Sequence, residues 1–97
     1  MAMDGLHFEW DRRKEAANRK KHGVSFEEAR TTFFDENARF MADSEEEDRF
    51  VLLGLSSRLR LLVVCHCYRE KAETIRIISA RKADRSERRE YEGFRNA

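Results

Sequence analysis

The sequence predicts an α+β domain, with an antiparallel sheet flanked by two helices from the N-terminal half and one C-terminal helix. Three observations carry this prediction. Residues 49–80 fall into three apolar, β-branched segments divided by short polar turns, the pattern of a meander. Two helix starts are marked early, at Asp11 and Ser25, with Gly23 as a stop between them. A third start, Asp84 with Glu87, follows the last apolar segment. The 97 residues make one domain, 1–97. A chain of this size buries only about two-thirds of its unfolded surface, leaving room for one sheet and a few helices.

Each element has its own signal. His7 to Trp10 alternates and reads as a short first strand. Asp11 offers an N-cap for a basic helix through Lys21, and His22-Gly23 ends it. Ser25 and Glu28 form a capping box, with Val24 and Ala29 at the staple positions. Phe26, Ala29 and Phe33 then share a face of a helix that ends near Asp35. Asn37 to Met41 reads as a weak strand before the acidic run Asp43 to Asp48. Arg49 to Leu55 is the next strand, with a turn at Ser56-Ser57-Arg58. Leu59 to Tyr68 is apolar on both alternating faces, which marks a central strand covered on both sides. After a polar turn, Thr74 to Ala80 supplies the last strand, and the final helix carries Tyr91 and Phe94 at i and i+3.

Charge adds a functional dimension. Charged residues are 40% of the chain although the net charge is only +1. The segment 11–22 holds six basic and two acidic residues, 23–48 two and nine, and 58–82 seven and two. Segregation of this kind suits a nucleic-acid or protein partner, and equally a highly charged soluble protein with no such partner. The longest apolar run, Leu61 to Cys67, is far shorter than the ~20 residues needed to cross a bilayer, and no secretory signal is recognisable. Cys65 and Cys67 project to the same side of one strand, a poor geometry for bridging, so a reducing cytoplasm is expected.

Four groups could carry chemistry. The first is the basic set Arg76, Arg81, Lys82, Arg85, Arg88 and Arg89. Arginine suits phosphate because its planar fork binds two oxygens and keeps its charge. Composition by itself favours a plainer reading, in which Arg76 pairs with an acid such as Glu47 or Glu87. The second is Lys20-Lys21-His22, where His22 could exchange protons near neutrality, although the helix dipole alone accounts for cations at a C-terminus. The third is Cys65-His66-Cys67. Alternation sets His66 opposite the thiols, so neither a metal site nor a nucleophile pair is expected, and His66 is left able to reach a functional face. The fourth is the acidic run, read as a solvated loop, with Arg49 beside it able to reach the same sheet face as Arg76. Neither a serine-triad motif nor a phosphate-binding glycine loop occurs, so an enzyme here is expected to need no cofactor and no metal. RNA cleavage fits that condition, because the 2′-hydroxyl is itself the nucleophile and the protein need only align the phosphate, stabilise charge and assist proton transfer.

Taken in order, the blocks Phe8-Glu9-Trp10-Asp11, Asn18, Lys21 to Ala29, Arg49-Phe50 with Gly54, Leu62-Val63-Val64, Ile75 to Ala83 and Glu87-Arg88 with Tyr91 resemble the BrnT family of bacterial type II toxins. The resemblance implies a compact RelE-like fold and metal-independent RNA cleavage that suppresses translation. It implies a ribbon-helix-helix antitoxin as partner, two toxins on one antitoxin dimer, and contact with operator DNA only through that antitoxin. Carried over by position, Arg49, Arg76 and Arg81 would hold the scissile phosphate. Lys21, His22 and Tyr91 would serve proton transfer or substrate positioning, and Lys20, Lys21, Lys82 and Arg88 would contact the RNA. The competing expectation is a non-catalytic interaction module that docks an antitoxin-like or nucleic-acid partner on the same basic face.

Overall fold

The computed structural model describes residues 6–42, 46–71 and 73–95, with side chains to residue 93. The elements follow as β1 (His7–Glu9), α1 (Arg12–His22), α2 (Phe26–Thr31), a single 3-10 turn (Thr32–Phe34), β2 (Arg39–Ala42), β3 (Phe50–Leu55), β4 (Leu61–Arg69), β5 (Thr74–Lys82) and α3 (Arg85–Arg95). The acidic residues 43–45 and the Phe94 side chain, both singled out above, lie outside the described residues.

Local chemistry sets the helix ends. The Asp11 carboxylate accepts from Arg13 N and Lys14 N at 2.8 and 3.0 Å, and these backbone bonds hold it below the usual aspartate range. Gly23 ends α1 in the left-handed region at φ 70°, where a side chain would be strained. Ser25 Oγ accepts from Glu28 N at 3.0 Å and starts α2. The capping box expected there is only half made. Glu28 turns inward instead, where its carboxylate takes the Arg60 guanidinium and the Ser56 hydroxyl. Glu28 is 4% exposed, so a buried carboxylate finds its counter-charge 32 residues away rather than at its own helix start. The helix expected to run to Asp35 also tightens early into the 3-10 turn, which Asp35 caps by donating its N–H to Thr32 O, while its carboxylate accepts from Asn37 N and Leu55 N.

The strands form one sheet in the order β1-β5-β4-β3-β2, with β4 central as its two apolar faces require. Pairings from β2 to β5 are antiparallel, but β1 joins β5 in parallel, so the sheet is mixed. The physical reason is connectivity: α1 to β4 intervene between the two strands, and no hairpin joins them to impose an antiparallel pairing. Across β4 and β5 the register skips one residue. Cys65 pairs with Ser79 and His66 with Ile77, leaving Ile78 as a bulge.

α1 and α2 cover one face of the sheet over a core of Val24, Phe26, Ala29, Leu52, Leu62, Val64, Ile77 and Ala80. The 3-10 turn presses so closely on β3 that a Cβ at Gly54 would meet Thr32 O at 3.2 Å and Leu52 Cδ2 at 2.8 Å. On the far face, Leu53, Leu61 and Val63 pack with Tyr91 of α3. That helix covers only part of the face, and what it leaves open is the candidate site.

Candidate active site

Side chains reach the open part of the far face from β3, β4 and β5. Cys67 stands opposite Arg76, Cys65 opposite Ser79, and Val63 opposite Arg81, and cross-strand partners share a face. In a regular strand Arg76 and Arg81 would point to opposite sides, because they are separated by an odd number of residues. The extra residue at Ile78 shifts the phase once and brings Arg76, Ser79 and Arg81 onto one face.

The fourth contribution comes from α1. β1 pairs with β5 only as far as Arg76, so the edge of β5 beyond it needs other partners. Asn18 supplies them. Its Nδ2 donates to Ala80 O at 2.8 Å and to Val24 O at 3.0 Å, and its Oδ1 accepts from Ala80 N at 3.0 Å. This buried amide stands in for a strand at the β5 edge and fixes the last turn of α1 beside it. His22, the final residue of that helix, is thereby set next to Arg81.

The result is a cavity of about 330 Å³ lined by His22, Arg49, Val51, Val63, Cys65, Ser79, Ala80 and Arg81. One imidazole and two guanidinium groups therefore face a common space with an apolar floor. Another concavity, about 440 Å³, lies over the end of β3 and is lined by Thr31, Phe34, Asp35, Leu55, Ser56 and Ser57. It carries no cation, and its one carboxylate is engaged in backbone bonds. Its larger volume is not matched by comparable chemistry.

The arginines differ in their company. Among the described residues, Arg49 has no carboxylate at salt-bridge distance. Arg76 Nη1 meets Glu9 Oε2 at 2.8 Å, and the same oxygen lies 3.7 Å from Arg69 Nε. Arg81 gives Nη1 and Nη2 to the two oxygens of Glu87, both at 2.8 Å. That pairing keeps the Glu87 acid below the ordinary glutamate range and holds Arg81 still more firmly protonated. The salt-bridge alternative thus has a basis, with Glu9 rather than Glu47 or Glu87 as the partner of Arg76.

Other expected residues sit elsewhere. Tyr91 is 3% exposed and donates its hydroxyl to Asp35 Oδ2 at 2.7 Å, beneath α3 and outside the cavity lining. Lys20 and Lys21 are exposed on the last turn of α1, and Arg88 is exposed on α3. Lys82 is exposed but pairs across from Leu62, on the opposite face from Arg81. His66 does not reach the cavity. It is fully buried on the helix-covered face, ringed by Phe33, Phe40, Phe50 and Tyr68, with Nε2 3.3 Å from the Tyr68 hydroxyl. Burial lowers its pKa, so the neutral ring is the resident form. Among the described residues no three His, Cys, Asp or Glu side chains are grouped as metal ligands.

Sequence reasoning passed over Asn18, Ser79 and Glu87 as parts of the site. The one available signal was Asn18 itself, a poor helix former in the middle of a helix.

Comparison with known proteins adds to this geometry. The sequence model of a family described as "Ribonuclease toxin, BrnT, of type II toxin-antitoxin system" matches residues 10–87. Among solved structures, the chain is similar to the crystal structure of the Brucella abortus ribonuclease toxin BrnT. The TM-score is 0.66 at 23% identity, covering 82% of this chain and 99% of that one. At this identity the likeness speaks to the fold: a mixed α+β domain with a five-stranded sheet and three helices. No curated protein sequence gives a significant match.

Proposed function

Because the chain belongs to the BrnT family of ribonuclease toxins from type II toxin–antitoxin systems, we propose that it is an endoribonuclease that uses the substrate's own 2′-hydroxyl and no metal ion. The observation that carries this reading is the shared cavity of His22, Arg49 and Arg81. In this reaction the 2′-oxygen bonds to the adjacent phosphorus as its proton leaves, and the bond to the 5′-oxygen breaks as that oxygen gains a proton. Negative charge accumulates on the phosphoryl oxygens in between. In this reading Arg49 and Arg81 balance that charge from the cavity wall, the electrostatic term that contributes most to such catalysis. His22 moves the proton, since imidazole is the side chain suited to that task near neutrality. Arg76 extends the cationic track along the same face, and Lys20, Lys21 and Arg88 hold the flanking RNA backbone, while Lys82, on the other face, lies off this track. The architecture is read as RelE-like.

The partner is an antitoxin, as the family implies. We take it to carry a ribbon-helix-helix domain whose dimer binds two toxins and reads operator DNA. The site of action is the cytoplasm; among the described residues no helix is long and apolar enough to cross a membrane.

One observation favours the second reading, a non-catalytic module. Arg76 and Arg81 are already paired with carboxylates, as structural arginines would be. Incubating the chain with RNA in excess chelator separates the two. Cleavage that disappears in His22→Ala and Arg49→Ala supports the enzyme. Intact RNA with the folded wild type, together with harmless expression in cells, rules it out.

A further inference from the structure

We infer that Glu87 is a built-in competitor at this site, so that RNA engages Arg81 by exchanging a phosphate for a carboxylate on one guanidinium. The inference rests on the reading of the cavity as a phosphate site and concerns how that site is guarded.

Four observations support it. The first is shape. Glu87 takes both terminal nitrogens of Arg81 in a two-pronged arrangement, the geometry in which arginine binds the non-bridging oxygens of a phosphodiester. The same edge of the guanidinium cannot serve both anions.

The second is exchangeability. The Arg81 and Glu87 side chains are 43% and 27% exposed, and ion pairs open to water are held weakly. The Glu28–Arg60 pair shows the contrast in its carboxylate, which is 4% exposed where that of Glu87 is 27% exposed. That pair is built to stay closed.

The third is that a released Glu87 has somewhere to remain. Its Oε1 accepts from Asp84 N at 2.9 Å, and its own N–H donates to Asp84 Oδ1 at 2.8 Å. This reciprocal capping box starts α3, and the same Oε1 also accepts from Arg81 Nη1, so the ion pair opens by movement of the guanidinium while the box stays made. The fourth is the contrast with Arg49, which has no such partner among the described residues. Of the two arginines lining the cavity, one is guarded and the other has no carboxylate partner among the described residues.

The test uses the full chain and a fluorescent, single-stranded 2′-O-methyl RNA oligonucleotide, which lacks the nucleophile and so reports binding alone. Glu87→Gln keeps an oxygen for the Asp84 N–H and removes the charge that competes for Arg81. It should bind the oligonucleotide about two- to fivefold more tightly than wild type, the range expected for loss of an exposed ion pair. The slope of log K against log salt should stay close to that of wild type, because the same phosphates are contacted once the exchange is made, whereas Arg81→Ala should flatten it by about 0.7. Arg81→Ala should bind more weakly, and adding Glu87→Gln to it should change nothing further. Thermal unfolding of each variant checks that the fold is kept. If Arg81→Ala weakens binding but Glu87→Gln leaves it equal or weaker, Glu87 is a scaffold for Arg81 and the competitor role is wrong. If Arg81→Ala itself has no effect, the phosphate site is wrong, and this inference falls with it.

Discussion

Arg76 and Arg81 lie five positions apart in one strand and yet project from the same face of the sheet, because Ile78 bulges between them. A cationic track on the far face therefore depends on one irregular residue. Arg76→Ala should weaken RNA binding and lower the salt slope by about 0.7. Stability should change by less than about 1 kcal/mol, because the pair with Glu9 is part-exposed and Arg69 remains beside that carboxylate. Fluorescence binding across a salt series, set beside a thermal melt, checks both. An unchanged slope would make Arg76 a structural residue.

Tyr91 offers the converse case. Its hydroxyl is spent on Asp35 beneath α3, so Tyr91→Phe should destabilise by about 1.5–3 kcal/mol through loss of a hydrogen bond to a charged group. For a domain of this size that lowers Tm by roughly 6–24 °C. RNA cleavage per folded molecule, measured well below the new Tm, should match wild type. A stable variant with lost cleavage would return Tyr91 to the catalytic group.

Asn18→Ala removes three hydrogen bonds at once and leaves Ala80 N, Ala80 O and Val24 O without those partners in a buried setting. A loss of about 3 kcal/mol is expected, since each orphaned buried group costs about 1–3 kcal/mol and water can re-enter part of the gap. Because the same bonds seat the end of α1, amide exchange should quicken first at Ala80 and the last turn of that helix. Exchange that accelerates uniformly along the chain would mean that Asn18 does not pin this edge.

His66 sets a pH response. Its folded-state pKa is lowered by burial, so the folded protein resists a proton that the unfolded chain accepts below about pH 6.5. The stability this preserves is complete above that pH and is lost as pH falls through the lower, folded-state value. Glu28 and Glu87, also lowered, act the same way but begin only below the ordinary glutamate range, about pH 4.3. Wild-type Tm should thus decline in two stages on acidification. His66→Phe, which keeps an aromatic ring in the cluster, should remove the upper stage alone. A profile that His66→Phe leaves unchanged would show that the ring carries no such linkage.

What could be read from the sequence was local. Asp11, Gly23 and Ser25 place their helix ends because capping is decided within four residues. The unbroken apolar run of β4 announces a central strand because both of its faces are covered. Long-range and phase-dependent features were not legible. The Ser25–Glu28 pattern looks like a complete capping box, yet Glu28 is claimed by Arg60 across the fold. Regular alternation would put Arg76 and Arg81 on opposite faces, and nothing in Ile77-Ile78 marks which residue bulges. His66 looked able to reach a functional face, but seven rings from distant parts of the chain cannot be assembled by inspecting their spacing. Arg49, His22 and Arg81 were named individually, from their chemistry and from the resemblance; that they share one cavity is a product of the tertiary fold.

The parallel pairing of β1 with β5 bears on the order in which the protein can be made. His7 donates to Glu73 O, and Phe8 and Glu9 pair with Ile75 and Arg76, so the first strand to leave the ribosome must wait for the last. His22 and Arg49 are likewise translated before the Ser79–Arg81 wall that completes their cavity. A nascent chain halted short of β5 holds His22 and Arg49 without the wall that brings them into one cavity. The cavity therefore cannot form before β5 has been made, and on the proposed reading a chain stopped short of that strand has no site for RNA.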